Sequence, residues 1–459
     1  MNDLKTTKLT PFHKFNKMFY WLSHTYPYEM NVCVGLQGTL DIETLKEALK
    51  DIFLNTKNLQ TRIKHCLFFT KRVYKKESKK FDINTLFTVE MNVKDDPGGI
   101  DSKLDNKTVA FLNDAIDLET EPPVKFYLAF KNKKEPVFFL KLHHTVSDAE
   151  GAYFLITKIF QQYNRLLNEK TVITLPEEPI QFSLDPLKHM IPDTYDEKKE
   201  FEEKSITASF FKDSSAKEGI IKCIPFILNK NEFQSIKNIS KETKYTINDI
   251  LVSVVILATH DMIKKRKITV SPLRIEQLVN LRQLLNIRGG LSNFICAFST
   301  LVLTNELAPV DKLIDTVHRK TKKTLEEKNY LRELLKILSI KFLTTKKLAR
   351  LTKQSEAYLC KNNYSFFSAT VSNPGRLDGL MENPYKCKIN YMWGAMHPNP
   401  TFGTKWISHT INNNVTMNFI YADPIITEDT AKEMVDLFKS SLKKIITSKD
   451  KIIKKGSKT

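Results

Sequence analysis

The hydrophobic pattern is densest between Pro136 and Gly151, which read PVFFLKLHHTVSDAEG. Apolar residues run up to two histidines, and Asp148 follows four residues after the second. The pattern predicts a strand, a turn and then a helix of about five turns, in which Leu155, Ile159, Tyr163 and Leu166, flanked by Ile156, Phe160 and Leu167, recur at helical spacing. Ser147 or Asp148 has the side chain to cap that helix. On a strand alternate side chains share a face, which sets His144 with Phe138, Leu140 and Leu142, and His143 with Val137, Phe139 and Lys141. The two imidazoles are therefore expected to point to opposite sides.

The same patterning extends in both directions. Before the histidines it predicts an aromatic-rich opening at Pro11–Leu22 and a strand over Met30–Leu40, then a helix over Asp41–Phe53 with Asp41 as cap and Glu43 and Glu47 near its N-terminus. Thr61–Phe69, Val124–Phe130 and Val137–Leu142 read as strands, and the basic run Lys71–Lys80 as a solvated turn. After the histidine helix, clustered Pro and a Lys/Glu-rich block mark Leu175–Lys217 as a crossover. Ile220–Leu228 restarts as strand and Asn231–Thr243 as a short helix. Thr246 and Asp249 form a capping box that opens an apolar helix over Ile250–His260, where His260 suits the C-terminal dipole. Strands are expected at Ile275–Arg282, within Gly289–Thr304, and at Phe366–Ser372, Tyr391–Met396, Thr404–Asn412 and Val415–Tyr421, before a last helix over Thr427–Ile446.

A chain of 459 residues has room for two domains, each with its own core. Its 41% apolar content and 29 Phe support packed structure almost throughout. The formal charge of +19 suits a phosphate-bearing partner, an anionic membrane surface or nucleic acid, yet Lys is spread along the whole chain among many Asn and Ile, as a compositional bias of the source also produces. Six separated cysteines without a CxxC pair suggest neither a disulfide framework nor a zinc site, which points to a reducing, cytoplasmic setting. There is no apolar signal core and no run of spanning length, so any membrane contact is expected to be peripheral. The basic amphipathic stretch Ser339–Arg350 is the candidate for that contact, although such stretches more often pack on their own domain.

Chemically, an imidazole presented from a strand end suits a general base, because it titrates near neutrality. Asp148 has two available jobs, orienting His144 or holding the turn shut by pairing with a cation elsewhere. On spacing alone, a merely packed turn carries about equal weight. Other enzyme classes lose ground, since the chain has no GxSxG elbow, no HExxH and no phosphate loop leading into a helix.

The HHxxxD core, His143-His144-Thr145-Val146-Ser147-Asp148, resembles the acyltransferase superfamily of chloramphenicol acetyltransferases, nonribosomal peptide condensation domains, plant BAHD enzymes and wax ester synthases. The order of weaker elements adds to this: Gly38-Thr39-Leu40-Asp41, Thr246-Ile247-Asn248-Asp249, Val279-Asn280-Leu281-Arg282 with Gly290 and Asn293, and Ser372-Asn373-Pro374-Gly375. The pattern is similar above all to alcohol acetyltransferases and wax ester synthases. The resemblance implies that His143, His144 and Asp148 form the catalytic motif with His144 as base, that Asp148 is structural and pairs with Arg282, and that Ser372 and Asn373 contact substrate. One departure is Ala149, which stands where the common form has Gly and is expected to narrow the passage beside His144.

The implied fold is α/β, with two chloramphenicol-acetyltransferase-like subdomains, each a mixed β-sheet with helices, around a central channel. The expected division is 1–174, a crossover linker at 175–217, and 218–459. The implied function is transfer of an acyl group from a thioester, acyl-CoA or an acyl carrier protein, to a small alcohol or amine. The phosphopantetheine thioester enters as co-substrate; no bound cofactor, metal or nucleic acid is expected. Two alternatives remain, condensation-type amide formation and a non-catalytic binding protein that keeps the fold.

Overall fold

The computed structural model describes residues 7–10, 14–24, 26–65, 70–168, 187, 189–190, 210–216, 218–268, 272–287, 289–339, 350, 354, 365, 367–379, 381–398 and 403–457. Most of the expected linker, and all of Ser339–Arg350 except its two end residues, lie outside these described residues.

The first half runs β1 (Thr7–Thr10), α1 (Lys14–Leu22), β2 (Glu29–Gly38), α2 (Ile42–Asn55), β3 (Thr61–His65), β4 (Thr70–Lys75), β5 (Phe87–Met91), α3 (Asn106–Asn113), β6 (Val124–Phe130), β7 (Pro136–His143) and α4 (Ala149–Leu167). The second runs β8 (Ile220–Leu228), α5 (Lys230–Glu242), α6 (Ile247–Lys265), β9 (Leu273–Asn280), β10 (Ile295–Val302), α7 (Val310–Glu327), α8 (Asn329–Ser339), β11 (Ala369–Ser372), β12 (Cys387–Met396), β13 (Thr404–Ile411), β14 (Asn414–Asp423), α9 (Glu428–Thr447) and α10 (Lys449–Gly456). Asp41 caps α2 by accepting the Thr44 N–H, and Thr246 and Asp249 complete a capping box on α6.

Two large sheets carry the architecture. The first has strand order β12-β2-β7-β6-β5 and the second β10-β9-β11-β13-β14-β8; β1, β4 and β3 form a small third sheet. β12 comes from the second half of the chain yet pairs antiparallel with β2, from Cys387 opposite Gly38 to Met396 opposite Met30. Gly35 makes the crossing fit, because a Cβ there would lie 2.2 Å from the Tyr391 ring.

Each sheet buries one face under helices. In the first half Phe138, Leu140 and Leu142 pack with Leu45, Leu49 and Phe53 of α2 and Leu155, Ile159 and Phe160 of α4. In the second half Trp406, Phe419 and Ile275 pack with α6 and with Phe438 and Leu442 of α9. A separate cluster between the sheets joins Val137 and Phe139 to Trp393, Ile221, Cys223 and Ile420, so the opposite face of β7 meets the second half. Asn113 reinforces this joint, donating to Ile221 O at 2.9 Å and accepting from Ile221 N at 2.6 Å.

Two local expectations are corrected. Lys71–Lys75 is part of β4, hydrogen-bonded to β1 and β3, and not a turn. Sheet pairing is a backbone property, and long basic side chains leave their stems on the sheet while their charges reach water. His260 does not end its helix, because α6 continues to Lys265; its Nδ1 lies 3.5 Å from Asp261 Oδ1. No described helix is long and apolar enough to cross a membrane.

Candidate active site

The histidine turn is built by the register of β7 between β6 and β2. Glu29 of β2 stands opposite His143, and the next backbone N–H, that of His144, donates to Tyr28 O at 3.0 Å. Val146 N–H closes the turn on His143 O at 3.1 Å, and Asp148 then caps α4 by accepting the Gly151 N–H at 3.1 Å. Gly151 is required here by close approach: a Cβ would lie 1.9 Å from Ser147 Oγ and 2.9 Å from the Gly290 carbonyl of the second half. Ala149, partly buried, packs against the first-half core.

The two histidines have different partners. His143 Nδ1 lies 3.1 Å from the backbone N–H of Thr145, which can only donate, so Nδ1 accepts and the neutral ring carries its proton on Nε2. Its Nδ1 is also 3.1 Å from Thr145 Oγ1. His144 turns instead toward the second half, where its Nδ1 is 2.9 Å from Asn293 Oδ1. The Asn293 amide is oriented by its other contacts: Nδ2 donates to the His144 carbonyl at 2.5 Å and to Asn16 Oδ1 at 3.1 Å. A backbone carbonyl only accepts, so Oδ1 faces the ring, His144 Nδ1–H donates to it, and the lone pair sits on Nε2. Phe19 stacks on the His144 ring at a centroid distance of 4.3 Å, and Tyr28 approaches edge-on at 6.1 Å.

Asp148 holds the loop that carries Asn293. Its Oδ2 accepts from Arg282 Nη1 at 2.6 Å and from the Phe294 N–H at 2.8 Å, with both charged side chains nearly out of contact with solvent. Arg282 in turn donates to Ser292 O at 2.9 Å and Gly290 O at 3.4 Å, and lies 4.7 Å above the Phe294 ring. Of the two jobs open to Asp148 from sequence, the geometry shows the cation pairing directly and the orientation of His144 indirectly, through Phe294 and its neighbour Asn293.

Burial dominates the protonation of the site. It pushes His144 down to about 4, opposed by the Asn293 hydrogen bond and the Asp148 charge and aided by the charges of His143 and Lys405. Burial pushes His143 further, to about 3, with a smaller contribution from His24. Both rings are therefore neutral at neutral pH. The arrangement presents one fixed, unprotonated nitrogen, His144 Nε2, with its tautomer set from the other half of the molecule.

Ser372 and Asn373 are not joined to this turn by any hydrogen bond among the described residues. Ser372 ends β11 opposite Ile407, and Asn373 Oδ1 accepts the Gly375 N–H at 3.0 Å. Sequence reasoning singled out Asn293 as a motif residue but gave it no role, and it left Asn16 and Phe19 undistinguished within the aromatic opening. A buried Asn has no periodic signal, and only the fold brings these residues together. Among the described residues no cluster of three or more His, Cys, Asp or Glu side chains is arranged to hold a metal ion.

Comparison with known proteins agrees with the overall fold. The first condensation domain of the calcium-dependent antibiotic synthetase, solved with a substrate analogue, superposes with a TM-score of 0.67 at 12% identity over 98% of this chain and 97% of that one. The epimerization domain from the third module of tyrocidine synthetase B gives 0.65 at 12% over 96% and 97%. The trichothecene 15-O-acetyltransferase of Fusarium sporotrichioides gives 0.64 at 10% over 95% and 94%. The shared fold is the α/β arrangement of two chloramphenicol-acetyltransferase-like lobes. No curated protein matches the chain. The family model of the condensation domain matches residues 16–275 and so spans the histidine turn and ends just inside β9. With more than half of its 459 residues matched, the chain belongs to the condensation-domain family.

Proposed function

We propose that the protein transfers an acyl group from a phosphopantetheine thioester, acyl-CoA or acyl carrier protein, to a hydroxyl or amine, with His144 as the general base. The observation that carries this reading is the tautomer: Asn293 holds the Nδ1 proton of a buried imidazole and leaves Nε2 free to accept another. As the acceptor oxygen or nitrogen bonds to the thioester carbonyl carbon, its proton passes to Nε2. When the carbon–sulfur bond then breaks, the same proton goes to the departing thiolate, and the products are the ester or amide and the free thiol. The imidazolium that exists between these steps is stabilised by Asn293 Oδ1 and by the nearby Asp148 charge, the two influences that raise the His144 pKa. Ser372 is the proposed donor to the tetrahedral oxyanion, since it shares a strand face with Thr370 and Lys405, of which Lys405 influences His144 electrostatically. Asn373 is proposed as its companion, because its amide N–H groups have no acceptor among the described residues while Oδ1 binds Gly375.

A second reading is amide formation with carrier-bound aminoacyl substrates, favoured by the likeness to the condensation domain of an antibiotic synthetase and to a four-domain nonribosomal peptide synthetase. A single screen separates the two. Purified protein is mixed with short- and long-chain acyl-CoAs and with free alcohols and amines or carrier-bound aminoacyl acceptors, and thiol release and product mass are followed. Thiol release that needs a free acceptor and disappears in His144→Ala supports the first reading. Turnover confined to carrier-bound aminoacyl acceptors replaces it with the second, and acceptor-dependent turnover that survives His144→Ala removes the proposed base.

A further inference from the structure

We propose that Lys405, flanked by Thr370 and Glu276, forms a recognition subsite for a carboxylate on one of the two substrates that meet at His144. The inference deepens the acyl-transfer reading and rests on it.

The registers place these residues in one transverse row. Ser299 of β10 stands opposite Glu276 of β9, Glu276 opposite Thr370 of β11, Thr370 opposite Lys405 of β13, and Lys405 opposite Ile420 of β14. Directly opposed residues of a pleated sheet point to the same face. That face looks at the first half, because His409, two pleats along β13 from Lys405, meets the Tyr153 hydroxyl of α4 at 2.7 Å. Ile407, between them on the same face, packs with Trp393 and the rest of the inter-sheet cluster. The other face, with Trp406, Val371 and Ile275, is sealed under helices.

Along the row the surroundings change. At the β10–β9 end the face is open: Leu278 and Ala297 are exposed, and Glu276 and Ser299 are half-buried. At the β14 end it is closed, with Ile420 fully buried in the inter-sheet cluster. Lys405 is half-buried at the boundary between the two regions.

The charges in the row are not matched to each other. Glu276 Oε2 accepts the Thr370 hydroxyl at 2.8 Å, and Lys405 has no hydrogen-bond or ion-pair partner among the described residues. Burial lowers the Lys405 pKa, with only Glu276 opposing the shift, and the Lys405 charge in turn lowers that of His144. The two groups thus share one electrostatic environment. An ammonium held in such a place without a partner is costly, and a substrate carboxylate supplies the missing charge and hydrogen bond. Two kinds of substrate bring that group: a hydroxy- or amino-acid acceptor, and a dicarboxylic acyl donor such as a malonyl or succinyl thioester.

The experiment compares matched pairs. In the acceptor arm, kcat/KM is measured with acetyl-CoA for 3-hydroxybutyrate against its methyl ester and for alanine against alaninamide. In the donor arm, malonyl-CoA and succinyl-CoA are compared with acetyl-CoA and butyryl-CoA on a neutral alcohol. Binding of the same acids and CoA thioesters to His144→Ala protein, followed by calorimetry, gives a readout that needs no turnover. A preference for the carboxylate member of about tenfold or more in one arm is expected. That ratio should collapse in Lys405→Gln and Lys405→Met and recover in Lys405→Arg; the arm in which this happens identifies the carboxylate's source. Absence of a carboxylate preference in both arms and in binding overturns the proposal, as does a preference unchanged in Lys405→Gln. Turnover without carboxylate discrimination sinks this inference alone. Carboxylate binding that depends on Lys405 in a protein that transfers no acyl group sinks the acyl-transfer reading and leaves the subsite standing.

Discussion

The Asp148–Arg282 pair offers the sharpest quantitative test, because both side chains are almost fully buried and their other partners are known. Arg282→Met leaves the Asp148 carboxylate with two backbone donors, Gly151 N–H and Phe294 N–H, and no cation. A stranded buried charge of this kind costs about 3–5 kcal/mol. Asp148→Asn removes the nearer carboxylate from the guanidinium, but Arg282 keeps Glu150 Oε1 at 3.7 Å, the Ser292 and Gly290 carbonyls and the Phe294 ring, so its cost is expected at the lower end, about 3 kcal/mol. The double variant strands neither charge. Its loss should therefore fall short of the sum of the single losses by roughly 1.5–3 kcal/mol. Urea unfolding followed by the fluorescence of the buried Trp393 and Trp406 reads all four proteins. If the two single losses add to within about 0.5 kcal/mol, the residues are not coupled and the clamp is refuted.

His144→Ala should lower kcat/KM by about two to four orders of magnitude, and His143→Ala by much less; the reverse order in a thiol-release assay would reassign the base. Because burial pushes His144 down to about 4, its base form persists to low pH, and the acid limb of kcat/KM should lie near pH 4; a limb at 6.5 or above contradicts the burial argument. Unfolding frees His143, His144 and His409 to take protons at their ordinary pKa of 6.5, whereas the folded forms stay neutral to about 3 or 4. Stability carried by these groups is therefore complete above pH 6.5 and falls as pH drops from there toward 4, as urea midpoints across that range should show. Asn293→Ala should lower kcat by about tenfold to a hundredfold and mix the His144 tautomers in ¹⁵N spectra, whereas Asn293→Asp should restore the tautomer and move the acid limb upward; unmixed tautomers in Asn293→Ala would remove its positioning role.

Much of this organisation is legible in local sequence. The apolar run into His143 and His144, the helical spacing after Asp148 and the capping box at Thr246 are short-range patterns with a direct structural cause, and the strands and helices lie where they indicate. Legibility ends where contacts depend on residues distant in the chain. β12 reads as an ordinary strand of the second half, and nothing within Cys387–Met396 announces that its partner is β2, more than 350 positions earlier at Met30. β4 was hidden for a different reason, since Lys71, Arg72 and Lys75 obscure a strand whose pairing is made by the backbone. Asn293 combines both difficulties: it is polar in a buried place, and its partners Asn16 and His144 lie 277 and 149 residues away.

That distance explains why the site has the geometry it has. A strand-end histidine held only by its own turn would resemble His143, with Nδ1 tied to Thr145 and no hydrogen bond across the joint among the described residues. His144 differs because its tautomer is set by a residue of the other half, and that residue is held in place by the same carboxylate that starts α4. Two of the three hydrogen bonds accepted by the Asp148 carboxylate come from the second half, so the oriented imidazole depends on the halves being together. The crossing of β12 and the Asn113–Ile221 pair hold them together from the far side of the joint. The geometry of the histidine site is thus a property of the interface, and its loss on weakening that interface should precede the loss of either core.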